Sequence, residues 1–363
     1  MTVIPTTFSE KLGAAFFRGL GKLPPRIQRG LAGGGIVEFR DRQLDPGIQL
    51  LLRIVNTQQP VDELALPVGR QKFRKMGRML SGAPVPVDAV HDVSIPGLAG
   101  DIPGRLYLPT QPAEPSSLLL FAHGGGFGIG DLDGYDNVCR ILAEHSGSRV
   151  LSIDYRLAPE HRFPAGYDDC VATYRYLLDH AADFGVEPSR IAVGGESAGA
   201  NLMTSVCREA RDRGWQQPAF QVLFVPPPDL TVVGHTAPEL DDGYMLTTAL
   251  MKWFLARYAD ESEWRDVRCS PRFADDLSGL APAYIATAGF DPVCESGEEY
   301  VEQLRAAGVT VAHRRHPGLA HPFVLMAGYS RVARDALVEA AGALRTGLAP
   351  ATTADPAVIR TAR

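Results

Sequence analysis

The sequence predicts an α/β protein built on a mostly parallel, doubly wound sheet, and three observations carry that expectation. Near-continuous apolar runs recur at 117–122 (SLLLFA), 149–155 (RVLSIDY), 190–194 (RIAVG), 220–226 (FQVLFVP) and 283–288 (AYIATA), as in strands buried on both faces. Helical stretches at 165–182, 198–213, 247–259, 296–307 and 330–346 alternate with them, so helices are expected on both sides of the sheet. A chain of 363 residues with 45% apolar and 21% charged residues can supply the sizeable core that such a sheet requires.

Residues 1–85 precede the sheet. They hold helical patterns such as 48–55 (IQLLLRIV) and a basic stretch at 70–78, and read as a helical cap segment over the sheet's C-terminal edge. The opening MTVIPTTFSEKLGAAFFRGLGK is interrupted by Lys11, Arg18 and glycines, so neither a secretory signal nor a transmembrane span is expected. An amphipathic helix around 8–20 that covers another part of the protein is the plainer reading, with peripheral membrane contact as the alternative. From residue 90, HDVSIPG and GRLYLPT read as an antiparallel pair. The α/β domain then spans 86–346, broken at about 229–265 by an insertion that reads as a second piece of the cap. Residues 347–363, rich in Ala, Thr and Pro, are expected to form a disordered tail.

A net charge of −6 leaves no basic surplus for releasing counterions, which argues against nucleic acid as a partner. Five cysteines (Cys139, Cys170, Cys207, Cys269, Cys294) are odd in number and lack CxxC spacing, the usage of reduced thiols in a cytoplasmic protein.

Loops at the C-terminal ends of the strands are where such a sheet binds ligands. Gly195-Glu196-Ser197-Ala198-Gly199 fits G-x-S-x-G directly after a buried strand and at the opening of a helix. The glycines keep bulk away from a sharp turn, so Ser197 projects above the sheet edge with helix N–H groups beneath it. A serine hydroxyl needs a base, and in this chain order acid and histidine follow the serine. His321, in the loop PGLAHPF just after a strand, is the first candidate and His316 the second; His313 reads as a polar strand residue. Zinc binding by HRRH is disfavoured, because strand residues three apart face opposite ways. Asp291 ends the strand AYIATAGF and is the first candidate acid, with Glu295 as runner-up; Asp275 and Asp276 lie at the wrong edge. His123-Gly124-Gly125-Gly126-Phe127 follows another strand at the same edge and offers bare N–H groups to a developing oxyanion. Neither nucleotide-binding glycine fingerprint is met by GGGFGIG.

The ordered set HGGGF, DYRLAPEHRFPAGYDD (154–169), GESAG and a DP followed by a loop histidine closely resembles the hormone-sensitive-lipase-like family of α/β-hydrolase esterases, over about 90–346. The resemblance implies a Ser197–Asp291–His321 triad, an oxyanion hole from the N–H groups of Gly125, Gly126 and Ala198, a helical cap and no cofactor. Departures from the family pattern are Glu196 where many relatives carry Asp, Ala200 for a common Gly, His321-Pro322 for His-Gly, and Glu295-Ser296 where two acids are usual.

The expected function is therefore a serine carboxylesterase that acts on short- to medium-chain acyl esters without a metal. Its partner is a small-molecule ester; homo-oligomerisation stays open. An amidase or other acyl hydrolase on the same fold is the first rival, which matched esters and amides separate. A non-catalytic binding relative is the second, and saturable binding without turnover would favour it.

Overall fold

A computed structural model describes residues 7–233 and 237–349. Before the sheet come α1 (Phe8–Gly21), α2 (Pro25–Leu31), the short antiparallel pair β1 (Glu38–Phe39) and β2 (Arg42–Gln43), α3 (Pro46–Val55) and α4 (Leu66–Leu80). α1 opens with a capping box in which the Thr7 hydroxyl accepts from the Glu10 N–H and the Glu10 carboxylate accepts from Thr7 N–H. Asp45 caps α3 by accepting from the N–H groups of Gly47 and Ile48.

The sheet elements follow: β3 (Ala89–Ile95), β4 (Ile102–Leu108), β5 (Leu118–Ala122), α5 (Asp136–Ser146), β6 (Arg149–Ile153), α6 (Ala165–Asp179), β7 (Ile191–Glu196), α7 (Ala198–Asp212), β8 (Gln221–Phe224), α8 (Thr248–Tyr258), β9 (Ala283–Phe290), α9 (Cys294–Ala306), β10 (Val311–Ala320) and α10 (Arg331–Gly347). Eight strands lie in the order β10-β9-β8-β7-β5-β6-β4-β3, and β4 alone runs against the others. The fold class is the expected one, including the antiparallel pair β3–β4.

The run 118–122 explains why such strands lack polar alternation. Leu118, Leu120 and Ala122 pack into the core on one face, with Tyr174 of α6 and Leu202 of α7. Leu119 and Phe121 pack into the other, with Leu142 of α5 and Leu337 of α10. Both faces are dry, so truncating Leu120 to Ala would cost about 2–5 kcal/mol.

Three sequence expectations need correction or limit. α5 was not among the helical stretches read above, although Val138, Cys139, Ile141, Leu142 and Ala143 recur at helical spacing and are buried. A crossover was nevertheless required, because β5 and β6 are parallel. β10 does not stop before Pro317-Gly318; it continues to Ala320 through an irregular register between His316 and Ala320, so the loop begins only at His321. The expected tail at 347–363 begins inside α10, and residues 350–363 lie outside the described residues.

Candidate active site

The strand order turns around between β5 and β7: β6 lies on one side of β5, β7 on the other. A crevice opens at such a point, at the strands' C-terminal ends. Register then fixes what meets there. Ala122 pairs with Gly195, so the residues that follow, His123 to Gly126 and Glu196 to Ser197, leave the sheet side by side. Ala320 pairs with Phe290, so the next residues, His321 and Asp291, are neighbours by construction.

Ser197 is the corner between β7 and α7, with φ 53° and ψ −118°. This conformation is rare for a residue with a side chain and costs on the order of 1–3 kcal/mol. The Ser197 N–H donates to the Phe224 carbonyl (2.9 Å), which ties the corner to β8. Close packing behind the corner requires Gly199, where a β-carbon would overlap the Ala122 carbonyl.

The three side chains form one line. Ser197 Oγ lies 2.7 Å from His321 Nε2, and His321 Nδ1 lies 2.8 Å from Asp291 Oδ2. Because a carboxylate only accepts, the ring proton belongs on Nδ1, which leaves Nε2 free to accept from the serine. Asp291 Oδ1 also accepts from the Val293 N–H (3.0 Å), which fixes the carboxylate plane. All three residues are buried. Burial opposes a charged imidazole, yet the Asp291 carboxylate and its hydrogen bond, together with Glu196, outweigh it and hold His321 above the ordinary histidine value.

The rival candidates point elsewhere. Glu295 is ion-paired with Arg40, and His316 is buried against the Phe323 ring. His313 Nε2 meets Thr287 Oγ1 at 3.0 Å, as fits a strand residue. Among the described residues no cluster of His, Cys, Asp or Glu is arranged to hold a metal ion.

Beside Ser197 lies the glycine loop. Gly125 and Gly126 have φ of 117° and 58°, and among the described residues no backbone carbonyl accepts from the N–H of Gly125, Gly126 or Ala198. The loop is braced from several sides. Tyr155 stacks on His123 and donates its hydroxyl to the His123 carbonyl (2.8 Å). Arg70 of α4 donates to the Gly128 and Ala158 carbonyls, and the Ala158 N–H donates to Phe127. Arg156 grips Asp169 through two nitrogens, so the stretch 154–169 is the scaffold behind the loop. From above, α8 lays Tyr258 on Phe127 (centroids 3.8 Å apart) and Phe254 on Gly126, where a β-carbon would overlap the ring.

Sequence reasoning missed these braces, and it missed Tyr135, whose hydroxyl donates to Glu196 Oε2 (2.7 Å). It also missed Arg42, a buried residue whose Nη1 donates to the Gly289 carbonyl (2.9 Å) next to Asp291. No local pattern marks either one, since each acts across more than 60 residues of chain.

A cavity of about 410 Å³ opens over the site. Its floor is Gly125, Gly126, Ser197, Ala198 and His321; its walls include Phe73 and Met76 of α4 and Met251 and Phe254 of α8. Met245 and Phe254, two apolar residues of the stretch read as the cap insertion, line it. Phe16, Leu50 to Leu52 and Trp253 do not: Phe16 is exposed, Leu51 and Leu52 are in the core, and Trp253 packs on Arg257.

A serine on a strand–turn–helix corner above a mainly parallel sheet is the architecture of an α/β hydrolase. The chain belongs to that family: the model of the alpha/beta hydrolase fold matches residues 119–325. It is 41% identical over 312 residues to the carboxylic ester hydrolase LipN of Mycobacterium tuberculosis, covering 83% of this chain and 82% of that one. It is 32% identical over 316 residues to an ethyl acetate hydrolase of Pseudomonas putida, covering 84% and 99%. Among solved structures, an ester hydrolase from the Lake Arreo metagenome, complexed with a bipyridine phosphonate derivative, superimposes with a TM-score of 0.80. That match is 36% identical and covers 84% of this chain and 98% of the other.

Proposed function

We propose that this carboxylic ester hydrolase cleaves short- to medium-chain acyl esters through an acyl-enzyme on Ser197. The observation that carries the reading is the line from Asp291 through His321 to Ser197 Oγ, on the floor of the cavity, beside three N–H groups that among the described residues have no backbone acceptor. His321 Nε2 takes the serine proton as Oγ attacks the ester carbon, and the carbonyl electron pair moves onto oxygen. The N–H groups of Gly125, Gly126 and Ala198 receive that charge, each such donor contributing about 2.7–4 kcal/mol to the transition state. Asp291 holds the Nδ1 proton and stabilises the imidazolium. Collapse of the intermediate breaks the ester C–O bond, and the leaving alkoxide takes the proton from Nε2. Water then repeats the sequence on the acyl-enzyme and releases the acid.

The cap in this reading consists of residues 1–85 and the insertion at about 229–265. Support comes from Phe73, Met76, Met251 and Phe254, apolar cavity walls contributed by α4 and α8. Such walls set acyl length, since each methylene that leaves water contributes about 0.8 kcal/mol. Hydrolysis of p-nitrophenyl esters from acetyl to palmitoyl, by wild type and Ser197→Ala, tests the proposal. A maximum at short or medium chains that is abolished in the variant is expected. Comparable turnover by both proteins would overturn it.

A further inference from the structure

Among the described residues nine large apolar side chains stand strongly exposed, and six of them, Phe8, Leu12, Phe16, Ile27, Leu31 and Ile36, fall within the first 36 residues. Phe8, Leu12 and Phe16 are 83%, 63% and 57% exposed and recur every four residues, so they form one stripe along α1. The other side of α1 is already occupied. Phe17 and Leu20 pack against the core, and Gly13 and Gly21 allow close approach of Met79 and Tyr329. On α2, Ile27 and Leu31 repeat the i, i+4 spacing on its exposed side.

Charge is distributed unevenly in the same segment. From 11 to 37 the chain carries Lys11, Arg18, Lys22, Arg26 and Arg29 and no acid, whereas the whole chain has a net charge of −6, which leaves −11 for the rest. Lys11, Arg18, Lys22 and Arg26 are exposed. The nearest acid, Glu10, is buried and turned toward Thr7 and Arg78.

We propose that α1 and α2 form a docking surface for an anionic lipid–water interface. The combination of features selects this occupant. A second copy docking through the same face would set five cations against five more, and a purely acidic soluble partner would leave Phe8, Leu12, Phe16, Ile27 and Leu31 without an apolar counterpart. An anionic membrane surface accepts both: apolar side chains enter the headgroup–acyl boundary while lysines and arginines meet phosphates. α1 packs on α4, and α4 lines the cavity with Phe73 and Met76. The docking helix thus packs directly on a helix that lines the cavity. Lipid binding itself does not rest on the role given to Ser197.

The test is co-sedimentation of the full chain with vesicles of phosphatidylcholine alone and of phosphatidylcholine mixed with phosphatidylglycerol. Two surface variants are compared with wild type: Phe8→Ser/Leu12→Ser/Phe16→Ser, and Lys11→Gln/Arg18→Gln/Lys22→Gln/Arg26→Gln. Wild type is expected to partition onto the anionic vesicles, less so at high salt. Partitioning should weaken about tenfold or more on neutral vesicles and in each variant. Melting temperature and hydrolysis of soluble p-nitrophenyl butyrate should not change. Absence of wild-type binding at low salt, or equal binding by the variants, would overturn the proposal. So would a wild-type dimer that the Phe8/Leu12/Phe16 variant converts to monomer, which would make the face a contact between copies. If that variant fails to fold, the charge variant decides alone, since it leaves the packed face of α1 intact.

Discussion

Glu196 Oε1 stands 4.0 Å from His321 Nε2, buried and, among the described residues, without a hydrogen-bond partner, while Oε2 of the same carboxyl accepts from Tyr135. Burial pushes the Glu196 carboxyl up to about 7, against the pull of His321 and of the Tyr135 hydroxyl. In the proposed mechanism, its charge above that pH favours the imidazolium that forms when Ser197 gives up its proton. Glu196→Gln is therefore expected to lower kcat at pH 8 about tenfold, the equivalent of about 1.4 kcal/mol. The acid limb of kcat/KM should move to lower pH, because a negative neighbour that raised the histidine is gone. Stability gives an independent readout. In the unfolded chain this carboxyl ionises in the ordinary glutamate range, whereas the folded chain keeps its proton until about pH 7. Wild-type stability thus falls between those values and Gln removes the fall, so the variant should gain melting temperature at pH 8 and not at pH 4. An unmoved acid limb would contradict the electrostatic role.

The pH profile of the wild type follows from His321. As the proposed base, His321 must be neutral, so kcat/KM should rise with pH, with Asp291 and Glu196 setting the midpoint above the ordinary histidine value of about 6.5. Replacing Asp291 by Asn offers Nδ1 an amide N–H and turns the tautomer, which places the proton on Nε2. A loss of about 10⁴-fold in kcat is expected, the scale of this change in a serine–histidine–aspartate site. Stopped assays of p-nitrophenyl acetate between pH 5 and 9 check both points; a wild-type midpoint below that of free histidine would contradict the assignment.

Gly126 tests the oxyanion site. Its φ of 58° and the Phe254 ring that lies on it leave no room for a methyl group. Gly126→Ala should displace the N–H and lower kcat about 10²–10³-fold with little change in KM, because the oxyanion exists only beyond the ground state. In Gly126→Ala/Phe254→Ala the steric conflict is relieved while the backbone strain stays, so only part of kcat should return. Equal losses in kcat and substrate affinity, read from steady-state kinetics, would point to a collapsed cavity instead.

Much of this arrangement was legible in the chain, for identifiable reasons. The strands buried on both faces announce themselves as unbroken apolar runs, and Ser197, His123 to Gly126 and Asp291 each follow such a run directly. His321 was legible because it lies between the end of the last strand and Pro322, although the strand proves longer than Pro317-Gly318 suggests. What was not legible depends on distance across the fold. The braces by Tyr155, Arg70 and Phe254 on the glycine loop, and by Tyr135 on Glu196, arise only once remote segments pack together. The same holds for the cavity walls. Apolar residues of α3 and α4 look alike in sequence, yet Leu51 joins the core and Phe73 faces the cavity.

The most direct test of the covalent step is labelling with a p-nitrophenyl alkylphosphonate, which a serine nucleophile attacks at phosphorus with release of p-nitrophenol. One p-nitrophenol per chain, a phosphonyl adduct on the peptide that carries Ser197, parallel loss of esterase activity and no labelling of Ser197→Ala are the expected results. An adduct on another residue, or esterase turnover that persists in a fully labelled protein, would contradict Ser197 as the nucleophile.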